Sequence, residues 1–157
     1  MVKRRGYKKM ERAPQTLVID ASVVAKWFIP EEDRAEALKL RNKHIEGSLT
    51  LIAPDLLVYE VANALSYHPE LKNEDLKEDI EALFMIDLEL VPPSTKLTTS
   101  IASKARQLGI SVYDSSYLAL AETIATNMVT ADKKLYDKVK ATGLVLILNE
   151  LDRKWSI

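Results

Sequence analysis

Five short apolar runs, TLVID (16–20), LTLIA (49–53), DLELV (87–91), MVT (128–130) and LVLIL (144–148), recur along the chain with helix-patterned stretches between them. Runs this short, bounded by turn signals and rich in β-branched residues, read as strands buried in a sheet. The stretches between them can supply the crossovers that parallel neighbours require. The pattern therefore predicts a three-layer α/β/α fold around a mostly parallel sheet of about five strands. In such a sheet the functional crevice lies outside the carboxyl ends of the strands.

The helical stretches carry their own start and stop signals. Residues 21–29 read as a helix interrupted by Pro30, and EEDRAEALKLRNKHIEG (31–47) as an exposed amphipathic helix stopped by Gly47. Pro54 reads as the opening of a helix that continues through DLLVYEVANALSYH, because proline suits the first helical turn. NEDLKEDIEALFMI (73–86) is expected to be capped by Asn73, and the next helix to run from a Ser94 cap to Leu108 and end at Gly109. ISVY (110–113) reads as an extended link, DSSYLALAETIATN as a helix, and ADKKLYDKVKATG as a last helix with Gly143 at its end.

Composition narrows the class. With 157 residues the chain is long enough for one domain with a substantial core. No apolar run approaches the roughly 18–20 residues that cross a bilayer, and no signal-peptide segment follows the basic start, so a cytoplasmic location is expected. The absence of cysteine excludes disulfides, thiolate chemistry and cysteine-held zinc. Residues 1–15 hold six basic residues and one acidic, a net of +5, and the remainder carries 16 basic and 22 acidic, a net of −6. The expected organisation is a basic, flexible arm over 1–15 and a single domain over 16–157. Such an arm can bind nucleic acid non-specifically or serve only as a solubilising terminus.

Four acids fall at informative places. Asp20 ends the first strand, Asp132 follows MVT, and Asp114 stands at the opening of a helix. Each taken alone is explained by helix capping. Glu60 is harder to explain, because PDLLVYEVANALSY is apolar almost all round and implies burial on most faces. Glu60, Asn63 and Tyr67 share one stripe of that helix, which either faces solvent or sets a carboxylate among apolar neighbours. In the second case the glutamate needs a partner from elsewhere in the fold or a metal ion. Should the four acids converge, they would raise one another's pKa and call for a cation, and oxygen-only ligands favour Mg²⁺ or Mn²⁺.

LVIDASVVAKWF, APDLLVYEVANAL, VYDSSYLALAE and VTADKKL resemble, in order, the acidic motifs of PIN-domain ribonucleases, most of all the VapC-type toxins. The resemblance spans residues 16–148. It implies that Asp20, Glu60, Asp114 and Asp132 are the catalytic quartet that binds Mg²⁺ or Mn²⁺. It also implies that Ser22 and Thr130 are hydroxyl residues ordering the site, and that Asn63 is the polar residue of the E-x-x-N-A-L stretch. The implied activity is endonucleolytic cleavage of RNA by a water activated at one or two divalent ions. The implied partners are an RNA substrate, a second copy of the chain in a homodimer and an antitoxin protein, with no membrane. The basic arm departs from the compact members, which begin almost at the first strand.

No histidine base is needed. His44 and His68 are expected in solvated positions, as are Lys26, Lys133 and Lys134 near the motifs. An aspartyl-phosphate enzyme or receiver would want a second acid beside Asp20, and TLVIDAS offers one. The remaining alternative is a PIN-fold RNA-processing or RNA-binding protein without an antitoxin.

Overall fold

The computed structural model describes residues 14–154. The basic arm expected at 1–15 lies outside the described residues except for Pro14 and Gln15, and Gln15 already belongs to the first strand. Five strands are formed: β1 (Gln15–Ile19), β2 (Leu49–Pro54), β3 (Glu89–Val91), β4 (Met128–Thr130) and β5 (Val145–Ile147). They pair in the order β3-β2-β1-β4-β5, and every pairing is parallel. Leu17 stands opposite Leu51 and Ile19 opposite Val129. Leu17, Val18, Ile19, Leu51 and Val129 are wholly buried, so the centre of the sheet is covered on both faces.

The helices are α1 (Ala21–Val24), α2 (Arg34–Glu46), α3 (Leu57–Ser66), α4 (Asn73–Met85), α5 (Thr95–Leu108), α6 (Val112–Thr123), α7 (Lys133–Val139) and α8 (Leu151–Lys154). The chain steps from β1 outward to β2 and β3, crosses back to β4 and continues to β5. α1 packs on α3 and α3 on α4, while α5 packs on α6, and the right-handed rule for parallel crossovers puts these two groups on opposite faces of the sheet. The direction of winding reverses between β1 and β4, which opens a crevice at their carboxyl ends. α6 fills the centre of its layer against β1, β2 and α5. Its residues Ser115 to Ala121 are all buried, and Ser115 satisfies its hydroxyl by donating to the Ile101 carbonyl at 2.7 Å.

The five runs read as strands are strands, but several helix openings differ from expectation. Pro54 is the last residue of β2, and α3 starts only at Leu57. The amide of Asp55 bonds the Val91 carbonyl at 3.0 Å, so sheet pairing holds the chain extended past the proline. Lys72 rather than Asn73 occupies the capping position of α4, where its amide donates to the Asp75 side chain at 3.2 Å. ISVY is not an extended link: Val112 and Tyr113 already belong to α6, which Ser111 caps by accepting from the Asp114 amide at 3.0 Å. Ser94 does cap α5, accepting from the Leu97 amide at 3.2 Å. α3 is not buried on most faces; Leu57, Val61 and Leu65 form a single buried stripe, while Tyr59, Asn63, Ser66 and Tyr67 are exposed.

Candidate metal and nuclease site

Asp20 is the extended residue between β1 and α1, with φ −80° and ψ 150°, and its amide bonds the Val129 carbonyl across to β4 at 3.0 Å. It is 5% exposed. An aspartate there ordinarily caps the helix, yet this one makes no side-chain capping bond. Its Oδ2 instead accepts from the Ser22 hydroxyl at 2.8 Å and the Thr130 hydroxyl at 2.7 Å. Each hydroxyl in turn accepts a backbone amide: Ser22 from Ala131 at 2.9 Å, and Thr130 from Asp132 at 3.1 Å. Because each hydroxyl has one proton, these amides leave both hydroxyls free to donate to the carboxylate. Both donors take Oδ2, so Oδ1 keeps capacity to bind a ligand. The D-x-S and T-x-D residues thus tie the ends of β1 and β4 together. Burial pushes the Asp20 pKa up, the two hydroxyls pull it down, and Asp114 raises it further.

Glu60, on α3, is half-buried rather than enclosed. Its partner comes from α6: the Tyr117 hydroxyl donates to Oε1 at 3.0 Å. Burial pushes the glutamate up to about 7; the Tyr117 bond opposes that shift, and Asp20 and Asp114 add to it. Tyr117 is fully buried, and burial followed by the charges of Asp20 and Glu60 drives its phenol far above the ordinary value, so it stays a donor. Sequence reasoning missed this residue. The available signal is its spacing of three from Asp114, which sets both on one side of α6.

Asp114 lies in the first turn of α6 but does not cap it, since Ser111 does. Its pKa is raised by burial first, lowered by Ser111, raised by Asp132 and lowered by Lys138. Asp132 is the residue that does cap, accepting from the Leu135 amide at 3.1 Å at the start of α7. Asn63 lines the same open cleft as Glu60 and Asp114. Glu60 and Asp114 line one cleft, Asp132 lines a second together with Ser22, and Ser22 bonds the Asp20 carboxylate. Among the described residues, however, no three His, Asp or Glu side chains are gathered tightly enough to hold a metal ion as the fold holds them. The donor set suits a hard divalent cation, being carboxylate oxygens that repel one another, and binding one requires the side chains to close up.

Of the lysines near the motifs, Lys26 is less solvated than expected, whereas Lys133 and Lys134 are exposed as expected. Lys26 keeps only 12% of its side chain exposed and pairs with Glu31 at 3.3 Å. Lys133 pairs with Asp137 at 3.1 Å. His44 is not free in solvent: its Nδ1 accepts the Leu51 amide at 3.0 Å, and its Nε2 lies 3.2 Å from the Asp87 carbonyl, so the ring fastens α2 to the sheet. His68 is half-buried and borders a cleft that reaches Asp132.

The sequence profile of the PIN domain matches residues 17–141. The chain belongs to the PIN-domain family. Within it the VapC-type members are its relatives: Ribonuclease VapC3 of Pyrobaculum aerophilum is 32% identical over 129 residues, covering 80% of this chain and 95% of the relative. Two solved structures share the PIN fold. The crystal structure of PAE2754 from Pyrobaculum aerophilum matches with a TM-score of 0.62 at 23% identity, covering 89% of this chain and 93% of that one. That of FitAcB from Neisseria gonorrhoeae matches with a TM-score of 0.56 at 17% identity, covering 83% and 95%. Among the described residues of this PIN domain, no helix is long and apolar enough to cross a membrane.

Proposed function

We propose that this PIN domain is a metal-dependent endoribonuclease acting in the cytoplasm, and the toxin of a type II toxin–antitoxin pair. The observation that carries this reading is the carboxylate of Asp20, buried at the winding reversal and diverted from helix capping onto two hydroxyls. A buried anion whose donors are neutral, raised further by the charge of Asp114, is costly unless a cation joins it. The relationship to a protein named as a ribonuclease supports RNA as substrate.

Asp20, Glu60, Asp114 and Asp132 would hold Mg²⁺ or Mn²⁺. Such an ion, when bound, activates water and offsets charge on the oxygens of a phosphodiester. Ser22 and Thr130 fix the rotamer of Asp20, and Tyr117 fixes that of Glu60, so that two of the four ligands are oriented before substrate arrives. Asn63 stands at the mouth, in reach of a substrate polar group. The body over 16–157 acts as one unit in this reading, as a homodimer whose acidic crevice an antitoxin covers, with the basic arm over 1–15 available to RNA.

The test is cleavage of single-stranded RNA with Mg²⁺ or Mn²⁺. Activity is expected to vanish in EDTA and to fall more than about 100-fold in Asp114→Asn. Cleavage of equal rate in that variant overturns the assignment.

A further inference from the structure

Two clefts open around the acid cluster, and their chemistry differs. One, of about 430 Å³, is lined by Lys26 together with Ser22, Tyr67, His68 and Asp132. The other, of about 610 Å³, is lined by Tyr59, Glu60, Asn63, Ser111, Tyr113 and Asp114. No lysine or arginine is among the described residues lining the second cleft. A nucleic-acid backbone entering it meets two carboxylates and no basic side chain. Apart from a cation held by the acids and Lys138, whose charge acts on Asp114, attraction along this lining is left to contacts with bases.

Tyr59 and Tyr113 are placed to provide it. Each directly precedes a site carboxylate near the start of a helix, Tyr59 before Glu60 on α3 and Tyr113 before Asp114 on α6. Successive residues of a helix point about 100° apart, so a helix that turns its acid toward the crevice sets the preceding ring at the rim. The two rings are 78% and 65% exposed, whereas Tyr117 is fully buried and bonded to Glu60. Neither exposed ring contributes to the core, and together they present aromatic faces within one cleft that also contains the acids.

We propose that Tyr59 and Tyr113 form a stacking platform for an unpaired RNA base, and that the phosphate adjoining that base is the one brought to the carboxylates. The proposal rests on the ribonuclease reading and deepens it. The substrate is single-stranded or looped RNA, held on this side through a base face that a continuous duplex keeps stacked. Stacking tolerates any base, so the platform sets the position of cleavage more than its sequence.

The experiment uses the full chain and a short single-stranded RNA carrying one 2-aminopurine, with Ca²⁺ in place of Mg²⁺. Stacking on a tyrosine quenches the probe. Tyr59→Ala and Tyr113→Ala are each expected to weaken binding about 10-fold and to relieve the quench. Tyr59→Phe and Tyr113→Phe are expected to rescue binding to within about 3-fold of the parent, because the ring rather than the hydroxyl stacks. In Mn²⁺ cleavage the alanine variants raise KM more than they lower kcat. Alanine variants with the parent's affinity and quench overturn the platform. So do variants that lose affinity for a purified antitoxin while binding RNA as before, which would make the rim a protein-docking surface. A parent protein that cleaves RNA while the alanine variants keep its KM sinks the platform alone. A parent that binds and quenches through both tyrosines but cleaves nothing sinks the ribonuclease reading alone.

Discussion

Asp20 and Asp132 both occupy the extended residue before a helix, at the neighbouring ends of β1 and β4, yet their carboxylates do different work. Asp132 caps α7 through the Leu135 amide at 3.1 Å. Asp20 leaves α1 without a side-chain cap and gives its Oδ2 to Ser22 and Thr130. α1 has four residues and is followed at once by a 3-10 turn over Ala25–Trp27, so it has little helix to stabilise by capping. The hydroxyls, by contrast, are needed to hold a charge that is almost fully buried. Residue type and local position are therefore the same at the two joints, and the tertiary neighbours decide the role.

The largest separation between the two joints is expected from shortening each acid to alanine. Asp20→Ala leaves the hydroxyls of Ser22 and Thr130 without their acceptor in a buried setting, and at about pH 5, where the raised pKa lessens the cost of the buried charge, it should destabilise the fold by about 1–3 kcal/mol. Asp132→Ala removes one cap and should cost about 1 kcal/mol. Both should abolish metal-dependent cleavage. Equal denaturation midpoints for the two variants would erase the distinction.

Thr130→Val tests the same point from the partner's side. The valine keeps shape but removes the donor to Asp20 and the acceptor of the Asp132 amide, and a loss of about 1.5–3 kcal/mol in urea unfolding is expected. A variant as stable as the parent would show that the link between β1 and β4 is ornamental.

A smaller effect separates charge from shape. Glu60 has a pKa raised to about 7 from 4.5, so the folded chain binds more protons than the unfolded one between those values. Stability linked to Glu60 is fully present below about pH 4.5 and is lost as pH rises through 7. The metal-free protein should therefore melt at a higher temperature at pH 5 than at pH 8, and Glu60→Gln should flatten that difference. A parent more stable at pH 8 would contradict the assigned direction.

The smallest effect should come from Asp132→Asn, since asparagine caps as well as aspartate and the melting temperature should hardly move, while cleavage is lost. A marked loss of stability there would mean that the charge itself, and not the cap, holds α7.

The strands were legible because β-branched apolar runs in a buried parallel sheet leave little choice of conformation. The places of Asp20, Asp114 and Asp132 at strand ends and helix openings were legible too, whereas Glu60 was expected on a buried helix and is half-buried on α3. What the side chains of these acids bond was not legible, because Thr130 lies 110 residues from Asp20 and Tyr117 lies 57 residues from Glu60. The opening of α3 was misjudged because pairing with β3 keeps Pro54 extended, against the usual preference of proline for a first helical turn. The burial of α3 was overread because Tyr59 and Tyr67 are hydrophobic by composition but exposed at the cleft rims. His44 and Lys26 looked like solvated polar residues, and their partners Leu51 and Glu31 become visible only once the chain is folded.

The central claim is that the four acids share one divalent cation, although as the fold holds them they are not closed around one. Calorimetric titration with Mn²⁺ at pH 7.5 tests it most directly, comparing the parent with Asp20→Asn and Asp114→Asn. The account predicts saturable binding with proton release in the parent, weakened at least about 10-fold in each variant while both remain folded. Parent-like Mn²⁺ binding in both folded variants would contradict it.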